Sequence, residues 1–188
     1  MRLIYLQTPR ISARTARILR LTQPISQQTV PTLPQTIHSP KIWLAGLDDV
    51  EHLNAIANHP EVYKHIGDGS GQAIDCRVSA PTTIIFASEF GAVLFAPCEG
   101  GWDLHAMFVP DGQGKHAHGA LKSAIGQMFS TFSAQAIFAS TPDDCPHAKP
   151  PRTFGFRPTG RIANCIRGVG ATQYKLTLEN WSKICPQH

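Results

Sequence analysis

Along residues 82–109 the apolar side chains fall into three short runs, Thr82–Ser88, Gly91–Ala96 and Trp102–Val109. Glu89-Phe90 and Cys98–Gly101 separate them, lengths that suit hairpin turns, so the pattern predicts an antiparallel meander. In the third run Trp102, Leu104, Ala106 and Phe108 alternate with Asp103, His105, Met107 and Val109. One strand face is therefore wholly apolar, and the other carries polar groups at its start. After a loop at Pro110–His116, a helix is predicted from Ala117 to Phe132. There Leu121, Ala124, Ile125, Met128, Phe129 and Phe132 keep the 3.6-residue period.

Upstream, Lys41–Leu44 reads as a strand. Asp48–Asn58 places Leu53, Ile56 and Ala57 on one helical face, with Asp48 or Asp49 to cap it and Pro60 to end it. A second short helix, Glu61–Ile66, stops at Gly67-Asp68-Gly69-Ser70-Gly71. No strand precedes that glycine cluster and no Lys-Ser/Thr follows it, so it reads as a turn and not a phosphate loop. Downstream, Gln135–Ser140 is an apolar strand, and residues 141–152 are polar and broken by Pro142, Pro146, Pro150 and Pro151. Phe154–Phe156, Arg161–Arg167 and Thr172–Leu178 supply further strands. The order β-α-α-β-β-β-α-β-(α)-β-β predicts an α+β domain around one mixed sheet.

Composition narrows the function classes. At 188 residues and 42% hydrophobic the chain is long enough for a sizeable core and too apolar for wholesale disorder. No apolar run approaches bilayer length, and Met1–Leu6 is too short for a secretory signal, so a soluble protein with no membrane partner is expected. The five cysteines (Cys76, Cys98, Cys145, Cys165, Cys185) are odd in number and lack CxxC, which favours reduced thiols and a cytoplasmic address.

Charge divides the chain unevenly. Residues 1–40 hold five arginines and no carboxylate, while the remainder carries 12 basic against 13 acidic groups. The first 40 residues also hold five Pro, five Gln and six Thr, and Ile11–Leu21 suits a short basic helix. The readings open for this segment are an arm that binds a partner subunit or a second copy, a nucleic-acid or anionic-surface tail, a mitochondrial transit peptide and a plain linker. The globular domain is expected over 41–188. It offers no basic stripe with interleaved aromatics, which argues against a nucleic-acid partner.

The string Asp103-Leu104-His105-Ala106-Met107-Phe108-Val109-Pro110, followed by Gln113-Gly114-Lys115, resembles strand 4, the pyrophosphate loop and helix 3 of the GCN5-related N-acetyltransferases (GNATs). Phe154-Gly155-Phe156-Arg157-Pro158-Thr159-Gly160 looks like that family's closing GF…G turn, and Thr172–Trp181 is similar to its last strand and tail. The resemblance spans roughly residues 41–183, and the order and spacing of the motifs carry it. It implies a GNAT-like sheet, mostly antiparallel with flanking helices, plus an extended N-terminal arm. It also implies an acetyl-CoA-dependent transfer of an acetyl group to a small-molecule or protein amine.

On that resemblance Phe108, Val109, Gln113, Gly114, Lys115, His116, Ala117, His118 and Gly119 are the coenzyme-binding stretch. Backbone N–H groups and the positive helix end would face the pyrophosphate. The family's loop has the form Gln/Arg-x-x-Gly-x-Gly/Ala. Here His116 and His118 replace the glycine and the glycine or alanine, where a side chain would lie in the path of a phosphate. Many members place a general-acid tyrosine four residues before the GF glycine, and that position is Pro151. His105 and Asp103 on the presumed strand 4 are the candidate catalytic bases. A second constellation, His116-x-His118 with Cys145-x-His147, holds zinc-type ligands, but neither spacing is specific and no metal site is assigned. The alternative function is a non-catalytic GNAT-fold assembly module, such as a tailed-phage virion component, that binds neighbours through residues 1–40.

Overall fold

The computed structural model describes residues 40–66, 71–78, 82–144, 151–166 and 168–185. The arm up to residue 39, the glycine cluster at 67–70 and the Cys145 and His147 pair lie outside the described residues.

Strands β1 (Ile42–Leu44), β2 (Ile84–Ser88), β3 (Gly91–Cys98) and β4 (Gly101–Phe108) pair antiparallel in succession. Strand β4 then runs parallel to β5 (Ala136–Pro142). A parallel pair needs a crossover, which helix α3 (Lys115–Ser130) provides. Strands β6 (Arg157–Ile166) and β7 (Val169–Thr177) close the seven-stranded sheet in the order β1-β2-β3-β4-β5-β7-β6. This is the mixed α+β sheet that the element order predicts, mostly antiparallel as the resemblance implies.

Strand alternation sorts the core into two layers. One face packs Phe86, Val93, Phe95, Ala106, Phe108, Ile137 and Leu176 under the Leu121–Ile125–Met128 stripe of α3. Trp181, from the short helix α4 (Leu178–Ile184), joins them. The opposite face carries Ala87, Ala92, Leu94 and Met107 beneath Leu53 and Ile56 of α1 (Val50–Ala57) and Val62 and Ile66 of α2 (Pro60–Ile66).

Several boundaries differ from the sequence reading, each for a local reason. Helix α3 begins at Lys115, two residues early, because Gly114 takes φ 72° and its carbonyl already accepts the His118 N–H at 3.0 Å. Pro60 opens α2 and does not merely end α1, which suits a residue with no N–H to lose. Asp49 does not cap α1: its carboxylate accepts from the Trp43 indole at 2.9 Å and the Gly46 N–H at 2.8 Å, and these bonds hold its pKa below the usual carboxylate range.

Phe154–Phe156 is not a strand. A 3-10 turn spans Pro151–Phe154, Gly155 follows at φ 89°, and both phenylalanines enter the core from that bend. Strand β6 starts at Arg157 and β7 at Val169, both earlier than expected. Leu178 belongs to α4, whose N-cap Thr177 accepts the Asn180 N–H.

Candidate active site

The sheet forks between β4 and β5. Their pairing is confined to Trp102–Ile137 and Asp103–Phe138, at the start of both strands. Beyond that point β4 remains paired only with β3, up to Phe108. The Val109 N–H donates to Phe90 O at 3.0 Å, which sets the parity of the ladder. Residues two and four back along the strand also face β3, so Ala106 and Phe108 direct their backbone N–H and C=O into the fork.

The fork leads to the N-terminus of α3. His118 is the first residue of that helix to donate an intrahelical bond, so the N–H groups of Lys115, His116 and Ala117 are the free donors of its first turn. A Cβ at Gly114 would meet nothing within 4 Å, which leaves the approach to those donors open. The two imidazoles in this loop turn aside. His116 Nε2 lies 3.1 Å from Ser88 Oγ, and its ring meets Phe90 and Phe108 edge-on at 5.2 and 6.2 Å. Ser88 Oγ donates to Gly91 O at 3.1 Å, so it accepts from His116, whose Nε2 carries the proton. Burial pushes the His116 pKa down, in keeping with a neutral ring. His118 stacks on Phe154 with centroids 4.6 Å apart. These two residues diverge, and among the described residues no three metal-ligating side chains gather.

The β2–β3 turn supports this loop from below. Phe90 lies so near Gly112 that a Cβ there would meet the Phe90 Cβ at 2.4 Å. Ser88 and Phe90 carry no site signal in the sequence, because only strand pairing brings residues 88–91 against residues 108–116. Gly119, placed in the coenzyme stretch by resemblance, meets Pro40: a Cβ would come within 2.5 Å of the proline Cδ. Ala117 and Phe108 turn their side chains into the core and are almost wholly buried.

On the α1/α2 face, Asp103 stands at the fork's vertex and His105 just past it. His105 is 3% exposed, and neither ring nitrogen makes a hydrogen bond. Its Nε2 lies 3.3 Å from Asp103 Oδ2, close enough for ionic attraction once protonated but without hydrogen-bond geometry. The Asp103 side chain is 31% exposed. A buried polar group left unpaired costs free energy, and here two such atoms sit on one ring beside a carboxylate.

No protein-family model and no curated protein sequence matches the chain. Solved structures do. A GNAT-family acetyltransferase from Bacillus anthracis aligns with TM-score 0.59 at 17% identity, over 73% of this chain and 94% of that one. A mutant form of the spermidine/spermine N-acetyltransferase SpeG from Vibrio cholerae gives 0.58 at 14% identity, over 77% and 97%. The fold is that of the GNAT acetyltransferases. The stretch Phe108–Gly119, given to the coenzyme by resemblance, runs from the end of β4 into the first turns of α3, and Asp103 and His105 lie near the base of the fork. No described helix is long and apolar enough to cross a membrane.

Proposed function

We propose that the protein is an acetyl-CoA-dependent N-acetyltransferase acting on an amine. The observation that carries this reading is the fork, with unpaired β4 backbone leading to an open helix N-terminus and an unpartnered buried histidine at its root. The residues fit the coenzyme: the first-turn N–H groups of α3 suit a pyrophosphate, and Gly114 keeps the path to them clear. Gln113 and Lys115 flank that path, and the exposed Lys115 adds positive charge. Ala106 and Phe108 offer main-chain partners to an extended amide-bearing arm. Bound there, acetyl-CoA supplies an acyl group activated as a thioester.

The chain's own groups act on the amine. Asp103 attracts it as an ammonium, and the His105 imidazole takes the proton that must leave nitrogen before it becomes nucleophilic. Burial of His105 keeps bulk water from competing for that proton. Position 151 is a proline and holds no proton donor, so solvent fills the role a tyrosine plays in many relatives of the fold.

Calorimetric titration with acetyl-CoA tests the binding half. Gly114→Trp, which fills the open approach, should abolish binding, while Gly114→Ala, which shares the strain of a side chain at φ 72° without the bulk, should bind more tightly than the tryptophan variant. A thiol-release assay tests the chemical half: His105→Gln should lower kcat by about 100-fold, the lower end for a general base, with acetyl-CoA affinity unchanged. Failure to bind at millimolar acetyl-CoA would refute the reading and return the case to an assembly module acting through residues 1–40.

A further inference from the structure

The strand register lines up a row of side chains across the face that holds Asp103. Asp103 pairs with Phe138 of β5, Phe138 with Lys175 of β7, and Lys175 with Arg157 of β6. Directly paired residues point to the same side of a sheet, and Ile137, Tyr174 and Leu176 occupy the opposite face in the α3 core. The row therefore reads anion, ring, cation, cation. Helices α1 and α2 cover the β2–β4 half of this face, whereas Phe138 and Lys175 are half-exposed and Arg157 is exposed.

Among the described residues neither cation is paired with a carboxylate. Lys175 Nζ stands 5.6 Å from the centre of the Phe138 ring, leaning toward Asp103, and among the described residues it has no carboxylate partner. Arg157 likewise has none. Arg161, four residues further along the same strand, shows the contrast: it is tied to Asp143 at 2.6 Å. Neighbouring strands lie about 4.8 Å apart, so Lys175 is rooted about 10 Å from Asp103 and reaches back across part of that gap. His105, unpartnered and buried beside Asp103, marks the anionic end of the row as a place built to meet a ligand.

We propose that the acceptor is an amine that also carries an anionic group, with its ammonium at Asp103 and His105 and its anion at Lys175 and Arg157. This rests on the transferase reading and adds the substrate class to it. A polyamine would place its second cation against Lys175 and Arg157 and be repelled. An aliphatic amino-carboxylate or amino-phosphonate a few carbons long spans the row, and its methylenes lie over the Phe138 ring. The anion could be either group, since both accept charge-assisted hydrogen bonds from an ammonium and a guanidinium.

The test uses the full-length protein and reads binding, so turnover is not needed. 4-Aminobutyrate, its primary amide, 3-aminopropylphosphonate and spermidine are titrated by ligand-observed NMR, with and without saturating acetyl-CoA. The carboxylate or the phosphonate should bind about tenfold more tightly than the amide, the low end for one charge-assisted contact, and spermidine no better than the amide. Whichever of the two anions binds more tightly identifies the group. Lys175→Gln should erase the preference and Lys175→Glu should invert it toward spermidine. Arg157→Gln, on an exposed strand where folding is not at risk, should weaken it.

Equal binding of the amide or spermidine by the wild type overturns the proposal. So does a Lys175→Gln variant that loses acetyl-CoA affinity as much as acceptor affinity, since the charge would then serve the coenzyme. Absence of any acceptor binding overturns it as well. Acetyl-CoA titrated alone reports separately on the transferase reading, and the acceptor titrations decide this proposal whichever way that result falls.

Discussion

Asn58 and Asn54 hold the segment before β2 onto helix α1 by imitating a strand neighbour. Asn58 Nδ2 donates to Ile74 O at 2.8 Å while its Oδ1 accepts the Ile74 N–H at 2.7 Å, and Asn54 Oδ1 accepts the Cys76 N–H at 2.7 Å. The spacing matches: four helical residues advance about 6 Å and two extended residues about 6.6 Å. Asn58→Ala removes both bonds to Ile74. At about 1 kcal/mol net for each hydrogen bond, the loss is about 2 kcal/mol, or roughly 30-fold in the opening equilibrium of residues 72–78. Native-state hydrogen exchange gives the assay. The informative probe is the Cys76 amide, whose own acceptor is untouched. If the segment opens as one unit, Cys76 protection falls by the same roughly 30-fold factor, while the central β3 amides keep theirs. A variant in which Ile74 alone exchanges faster would refute the clamp, because each asparagine would then be acting on its own residue only.

Other outcomes follow from single contacts. Because burial lowers the His116 pKa, the ring's contribution to stability is full above the ordinary histidine value near 6.5 and is lost as pH falls through the lower folded value. His116→Gln, which retains a donor for Ser88, should therefore flatten part of the acid side of a urea-midpoint profile between pH 5 and 7. An unchanged profile would contradict the assignment. Trp181 is buried against Phe129 with rings 6.3 Å apart, so Trp181→Ala should cost about 3–5 kcal/mol and lower Tm by about 10 °C in calorimetry. Gly91→Ala puts a methyl 2.4 Å from Met107 O and 2.2 Å from a Phe108 ring carbon. It should destabilise by about 2 kcal/mol or more and weaken acetyl-CoA binding through the displaced end of β4, read by the same calorimetric titration.

The parts of this molecule that local pattern controls were legible in the chain. The alternation in Trp102–Val109 anticipates that Met107 and Phe108 enter different core layers, and the α3 stripe anticipates its buried face. Where two local rules compete the reading slipped. Phe154 and Phe156 alternate like a strand, yet paired prolines and a glycine at positive φ bend them into a turn that buries both. Thr177 with Glu179 two residues later is an N-terminal helix signal, and the strand pattern of Thr172–Leu178 runs over it. The loop histidines had no readable orientation, since their partners Ser88 and Phe154 arrive from 28 and 36 residues away in the chain. The Asp103–Phe138–Lys175–Arg157 row was hidden for the same reason: it exists only through register among four strands.

The fork also makes the sheet mechanically divided. Four strands on one side and three on the other are stitched together by two residue pairs, Trp102–Ile137 and Asp103–Phe138. The α3 core laid across both halves is the other tie between them. An extended ligand seated in the gap would act as a temporary strand, lending each half-sheet the edge it lacks. Loading such a ligand would stiffen the domain across its seam, so the two halves would respond to heat as one body when occupied and more independently when empty.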